Sequence, residues 1–551
     1  MPRFMPSLHD VRRTRTLPRL ARQALLAMIA LLGFAVIPTA PTAKAVVPFT
    51  PTACPPGVVA EGIQIDCGYL TVPESRSNFT GRTINLAVAI LRSPNPAKAP
   101  DPAVFLQGGP GGITTTLAPV LALGYAPTLA ERDIILMDQR GTGYSQPSLD
   151  CSFGTQTLLD RPFAVGAQEG DLPDFIQAQV DALTACGQAY QAQGIDLTAY
   201  NSAENSADFE DLRLALGYGP WNVIGGSYGT RLGLAMLRYQ PDSIRSLVLD
   251  STVPLQVTFQ VDVSASYNGA LERLAAQCAA DAACNANYPD LLGTFDRLYA
   301  QLNESPAQVP IIDLNTGEIA TYLPISGVTF SQVTFQLFYA TQIIPLLPAF
   351  IGETANGNYD LLSLILSLLL TAPAEETVPS LAIGMYTAVQ CNEDATFATA
   401  EDFIRTRDQN RRGSAVAFDV TGNEGFLQVC NNLGLNNPDP IENIGVTSDR
   451  PVMIISGEND PITPPRYAEI TASTLSNSFI VTYPRGGHVP SIGTCLAGSV
   501  AAFINDPATQ PDTSCVAQEA PIPFITPDSV ASEGTRQLAR DAAQSLRLRS
   551  R

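Results

Sequence analysis

Histidine is nearly missing from this chain: of 551 residues only His9 and His488 carry an imidazole. Charge is scarce too, at 15% of residues against the roughly 25% usual in globular proteins. What charge there is leans one way, 52 acidic against 32 basic side chains, for a formal net charge of -20. A surface of that sign repels nucleic acid and anionic lipid, so neither is expected as a partner. The two prominent apolar runs, residues 24–37 and 361–370, both fall short of the roughly 20 residues that span a bilayer. No C-x-x-C knuckle occurs and histidine is scarce, which makes zinc a poor reading of the cysteines, and no metal or other cofactor is expected. Disorder is excluded for the bulk of the chain, because 45% of its residues are hydrophobic.

The first 45 residues have the grammar of a secretory leader. Arg3, Arg12, Arg13, Arg15, Arg19 and Arg22 precede the apolar run, and Ala43-Lys44-Ala45 supplies a small-x-small cleavage site. The expectation is an exported protein, secreted, periplasmic or at the cell surface, with no stable membrane insertion once residues 1–45 are removed. That removal takes seven basic and one acidic residue, moving the formal charge from -20 to about -26. It also takes His9 and leaves His488 as the one imidazole. All ten cysteines follow the leader, and an even number in an exported chain reads as disulfides. Short spacings favour sequential pairing: 54 with 67, 151 with 186, 278 with 284, 391 with 430 and 495 with 515.

Hydrophobic rhythm divides the remainder. Residues 63–72 and 83–91 alternate like two antiparallel strands. Short apolar runs at 103–106, 133–137, 222–224 and 246–249 follow, with helical spacing at 205–216 and 230–239. Buried strands separated by helices predict an α/β architecture, a mostly parallel sheet with helices on both faces. Residues 254–440 interrupt that rhythm with helix-rich sequence, read as a lid domain whose core includes the run 361–370. Strands resume at 451–455 and 479–483. The organisation expected is a core in two parts, 46–253 and 441–520, around a helical lid at 254–440, with a polar tail at 521–551.

Chemistry-bearing residues fall at the strand ends. Gly225-Gly-Ser227-Tyr-Gly229 matches a nucleophile elbow, a strand-to-helix turn so tight that its flanking positions must be glycine. It lifts the serine hydroxyl above the sheet at a helix N-terminus, where developing negative charge is favoured. A hydroxyl needs a base, and His488, following the last predicted strand in a Gly-Gly-His loop, is the one available. Two carboxylates end strands and could orient it: Asp460, favoured for lying on the adjacent strand, and Asp250. For the oxyanion, the backbone N–H groups of Tyr228 and Gly109 are the expected donors, the latter from the glycine-rich loop 108–112.

Taken together, Gln107-Gly-Gly-Pro-Gly-Gly112, Asp138-Gln-Arg-Gly-Thr-Gly143, Gly225-Gly-Ser-Tyr-Gly-Thr230, Asp460-Pro-Ile-Thr-Pro464 and Gly487-His488 resemble the secreted α/β-hydrolase peptidases. These are the prolyl and tripeptidyl aminopeptidases with a TAP-like C-terminal region, and the resemblance covers about residues 55 to 515. It implies the α/β-hydrolase fold with a large lid, and a serine exopeptidase with Ser227, Asp460 and His488 as its triad. Gln107, where prolyl enzymes usually have histidine, is more like the tripeptidyl branch. The resemblance also implies a peptide substrate with a free N-terminus whose ammonium meets acidic lid residues, here Glu393 or Asp394. The loop 138–145 is expected to brace the site rather than react. An esterase or lipase shares the same machinery and stays open as an alternative, as does a non-catalytic binding protein that kept the fold.

Overall fold

The computed structural model describes residues 47–151, 165–370, 381–519 and 521–527; the expected leader and most of the expected polar tail lie outside them. Eleven strands occur among the described residues: β1 (Phe49–Thr52), β2 (Ile65–Pro73), β3 (Thr83–Leu91), β4 (Ala103–Leu106), β5 (Ile134–Met137), β6 (Trp221–Gly226), β7 (Ile244–Asp250), β8 (Ala307–Ile312), β9 (Ile319–Ile325), β10 (Val452–Gly457) and β11 (Ser478–Tyr483). Nine of them form one sheet in the order β1-β2-β3-β5-β4-β6-β7-β10-β11. The first three strands and the β3–β5 pairing are antiparallel. From β5 to β11 every pairing is parallel.

Alternation along the central strands splits the core into two layers. Val104, Leu106, Ile135, Met137 and Val223 face one layer, and Phe105, Ile134, Leu136 and Ile224 face the other. Both faces are therefore covered, which is why these strands read as unbroken apolar runs. The edge strand β11 is only partly buried, in keeping with its single neighbour.

Two elements depart from the sequence reading. β1 lies in the proline-rich stretch 48–56, ahead of the first strand that the hydrophobic rhythm predicts; Pro51 is accommodated because β1 is an edge strand, where a missing N–H breaks no ladder. The stretch read as helical also contains the hairpin β8–β9, whose outer strand exposes Ile319 and Tyr322.

The chain leaves the sheet after Asp250 and rejoins it at Val452, and the intervening segment packs in two parts. The helices Phe259–Ala280, Leu291–Glu304, Gly327–Leu337, Leu347–Ala355 and Asp360–Leu370 contribute to a core of their own, where Leu361, Leu362, Ile365 and Leu366 are buried. The helices Ile383–Glu393 and Gly425–Asn432 instead join the first layer of the sheet core through Met385, Val389, Phe426 and Val429. No helix among the described residues is long and apolar enough to cross a membrane. Five disulfides join the cysteines in sequential order, Cys54–Cys67, Cys151–Cys186, Cys278–Cys284, Cys391–Cys430 and Cys495–Cys515, as the spacings predict. Cys391–Cys430 ties together the two helices that return to the sheet core.

Candidate active site

Ser227 stands between β6 and the helix Tyr228–Tyr239 with φ 55° and ψ -127°, a strained conformation for a residue bearing Cβ. The neighbouring glycines are required by space. A methyl group added at Gly225 would lie 2.5 Å from the Gly229 carbonyl oxygen, and one at Gly229 would collide with the carbonyl of Leu106. The Ser227 N–H donates to the Asp250 carbonyl at 3.0 Å, tying the turn to the end of β7.

The loop 108–112 passes directly over this serine. A methyl at Gly108 would sit 2.7 Å from Ser227 Cβ and 3.2 Å from its Oγ, so the approach depends on a missing side chain. Gly109 and Gly111 take φ 116° and 95°, which glycine alone adopts without cost. A narrow cavity is lined by Gly109, Ser227 and Tyr228 together with Arg231, Gln390 and Asp394. Both expected oxyanion donors and the expected nucleophile thus share one cavity.

The imidazole of His488 meets Asp460 rather than Asp250: Nδ1 lies 2.8 Å from Asp460 Oδ2. Thr463 Oγ1 and Ser251 Oγ donate to the same oxygen at 2.6 and 2.9 Å. The other carboxylate oxygen accepts the N–H groups of Ile462 and Thr463 at 2.9 and 2.8 Å. Asp460 is 0% exposed and His488 5%. Burial raises the Asp460 carboxyl, but the histidine and these donors outweigh it and hold the group below its ordinary value. An acceptor so placed assigns the proton to Nδ1 and leaves Nε2 able to accept one.

The base loop is fixed on several sides. Ser251 Oγ accepts the Val489 N–H at 2.8 Å, and the His488 N–H donates to the Tyr339 carbonyl at 3.1 Å. The Tyr339 ring stands edge-on to the imidazole with centroids 5.0 Å apart. Val489 also reaches the elbow, since a methyl at Gly226 would lie 3.5 Å from its Cγ1. The histidine loop and the serine turn therefore occupy the same end of the sheet.

The two acids expected to meet an ammonium group are placed differently. Asp394 lines the cavity, while its oxygens accept the Phe259 and Gln260 N–H groups at 3.1 and 3.3 Å. Glu393 does not line it; Oε1 accepts the N–H and hydroxyl of Ser202 at 2.9 and 3.0 Å, and Oε2 lies 3.5 Å from Arg231 Nε. Burial pushes Glu393 up to about 7, with Glu442 adding to the rise, and pushes Asp394 up to about 6. Arg231 and Gln390 in the cavity wall escaped sequence reasoning. For Arg231 a signal existed: a cation in the first turn of the buried helix after the elbow must find partners inside the protein.

A family model described as the alpha/beta hydrolase fold matches residues 101–493, and the chain belongs to that family. It is 23% identical over 481 residues to the tripeptidyl aminopeptidase of Streptomyces coelicolor, covering 83% of this chain and 84% of that one. It is 28% identical over 255 residues to the putative hydrolase YuaR of Escherichia coli, covering 44% of this chain and 48% of YuaR. To the serine protease Hip1 of Mycobacterium tuberculosis it is 28% identical over 233 residues, covering 40% of this chain and 42% of Hip1. The chain thus spans under half of YuaR and Hip1, and most of the Streptomyces enzyme.

Proposed function

We propose that this chain is an exported serine exopeptidase that releases N-terminal residues or short, tripeptidyl-length fragments from peptides through an acyl-enzyme. The observation that carries the reading is the Asp460–His488 pair beside a strained serine turn whose cavity also holds Gly109, Tyr228 and Asp394. Similarity to a tripeptidyl aminopeptidase over most of both chains favours peptides over other acyl substrates. The basic-then-apolar leader and five disulfides favour export, and residues 254–440 would serve as the lid.

In this reading Ser227 Oγ attacks the scissile carbonyl carbon while its proton passes to His488 Nε2. The carbonyl π electrons move onto oxygen, which the N–H groups of Tyr228 and Gly109 stabilise. Collapse breaks the C–N bond, and His488 returns the proton to the departing amine. Water, deprotonated by the same imidazole, then cleaves the acyl-enzyme and frees Ser227. Both acids lie near Arg231, at 3.5 Å for Glu393 and 3.8 Å for Asp394. Asp394 is the better placed to meet the substrate ammonium, because it lines the cavity while Glu393 is turned to Ser202.

A fluorophosphonate should label the wild type and spare Ser227→Ala, and peptides with a free α-amine should be cleaved while their acetylated forms are not. Equal cleavage of both forms, with fast turnover of simple esters, would move the chain to the carboxylesterase or lipase class. Absence of labelling would move it to a non-catalytic binding protein.

A further inference from the structure

The loop 108–112 presents the proposed oxyanion donor, yet its glycines bring no side chains with which to hold a shape. Its backbone must be fixed from outside. Two consecutive residues reach both of its ends. Gln139 Nε2 donates to the Gln107 carbonyl at 2.9 Å, immediately before the loop. Asp138 Oδ1 accepts the N–H groups of Thr114 and Thr115, each at 2.8 Å, immediately after it. Asp138 Oδ2 accepts the Thr115 hydroxyl and the Tyr144 N–H, both at 2.9 Å.

The topology explains how these residues meet. β4 and β5 are parallel neighbours with Phe105 beside Leu136, so Gln107 and Asp138 leave the sheet side by side. Asp138 is itself held through its backbone, by the Ala87 carbonyl at 2.9 Å and the Ser145 hydroxyl at 2.7 Å. Gly143 is needed in the same turn because any side chain there would strike the Asp138 carboxylate.

We infer that Asp138 and Gln139 are positioning residues that clasp the two ends of loop 108–112 and so aim its N–H groups at the oxyanion. This rests on the serine-hydrolase reading but not on the choice of peptide over ester. Gln139 provides the sharper test. Its Oε1 is buried and finds no hydrogen-bond donor among the described residues, so Gln139→Met removes an unsatisfied oxygen along with the donor to Gln107. A merely structural glutamine would give a variant of unchanged or higher stability and unchanged rate.

The measurement is turnover of a short activated ester, p-nitrophenyl acetate, per active site titrated with a fluorophosphonate, with thermal melting alongside. Loss of a whole oxyanion donor costs about 10²–10³ in kcat, and a loosened one should cost less. Gln139→Met is expected to keep its melting temperature and lose about tenfold in kcat, with KM changed less than about twofold. Asp138→Asn, which turns an amide donor toward the Thr115 and Tyr144 donors, is expected to lose at least as much. An active wild type alongside a Gln139→Met variant of unaltered kcat overturns the clasp alone. A wild type that neither labels nor turns over overturns the serine-hydrolase reading and the clasp with it.

Discussion

Asp250 accepts the backbone N–H of Ser491 through Oδ2 at 3.0 Å, three residues beyond His488. The carboxylate that sequence order left as a rival to Asp460 is therefore a brace for the histidine loop, while Asp460 meets the ring itself at 2.8 Å. The two roles predict different costs. Asp460→Asn presents an amide N–H where Nδ1 must donate, forcing the wrong tautomer, and should lower kcat by about 10⁴. Asp250→Asn keeps an oxygen for Ser491 and should cost about tenfold or less. Steady-state kinetics of the two variants decide the assignment, and equal losses would contradict it.

Ser251 links the acid to the base loop. Its hydroxyl donates to Asp460 and accepts from Val489 N–H, so Ser251→Ala removes a donor from the buried carboxylate and leaves a backbone N–H without its partner. Each loss of this kind is worth about 1–3 kcal/mol. The expected outcome is a kcat reduced by about tenfold and a lowered melting temperature, read by kinetics and calorimetry. Retention of both would show that Thr463 and the loop backbone suffice.

Much of the site was legible because its geometry forbids side chains. Gly108, Gly225 and Gly229 sit where an added methyl would meet Ser227, the Gly229 carbonyl and the Leu106 carbonyl, so glycine spacing exposes the turn and the loop above it. The parallel strands were legible because burial on both faces makes them uniformly apolar. What stayed hidden depends on partners distant in sequence. Position along the chain favoured Asp460 over Asp250, but both follow equally apolar strands, and it is where the strand ends point that brings Asp460 to the imidazole. Glu393 and Asp394 are adjacent, yet one turns to Ser202 and the other lines the cavity, a difference set by the end of the helix Ile383–Glu393. β1 was concealed by Pro51, which only an edge position excuses.

The buried acids near Arg231 should leave a mark on stability. Burial raises Glu393 from its ordinary 4.5 to about 7 and Asp394 from 3.8 to about 6. A carboxyl raised by folding keeps its proton in the folded chain where the unfolded chain has lost it. The stability it contributes is complete below the ordinary value and is lost as pH climbs through the raised one. Melting temperature is therefore expected to fall between about pH 4.5 and pH 7. Asp460, whose value is lowered, acts in the opposite sense and only at more acid pH. Glu393→Gln carries no titrating proton, so its melting temperature should decline less over that window; a profile parallel to the wild type would exclude Glu393 as the source.

The proposed ammonium-binding role of Asp394 can be tested directly. Its carboxylate lines the cavity containing Ser227 while holding the first two N–H groups of the helix Phe259–Ala280. Phe259 and Gln260 bond different carboxylate oxygens, so Asp394→Asn keeps an acceptor for one of those N–H groups while removing the negative charge that an ammonium would meet. If the charge receives the α-amine, KM for free-amine peptides should rise about tenfold, equivalent to about 1.4 kcal/mol of lost attraction. Turnover of an uncharged ester, which brings no ammonium, should be unaffected, so the ratio of the two substrates isolates the interaction from any general disturbance of the site. A proportional loss on both substrates would mean that Asp394 serves the helix end alone, and that the ammonium is met by other groups lining the cavity.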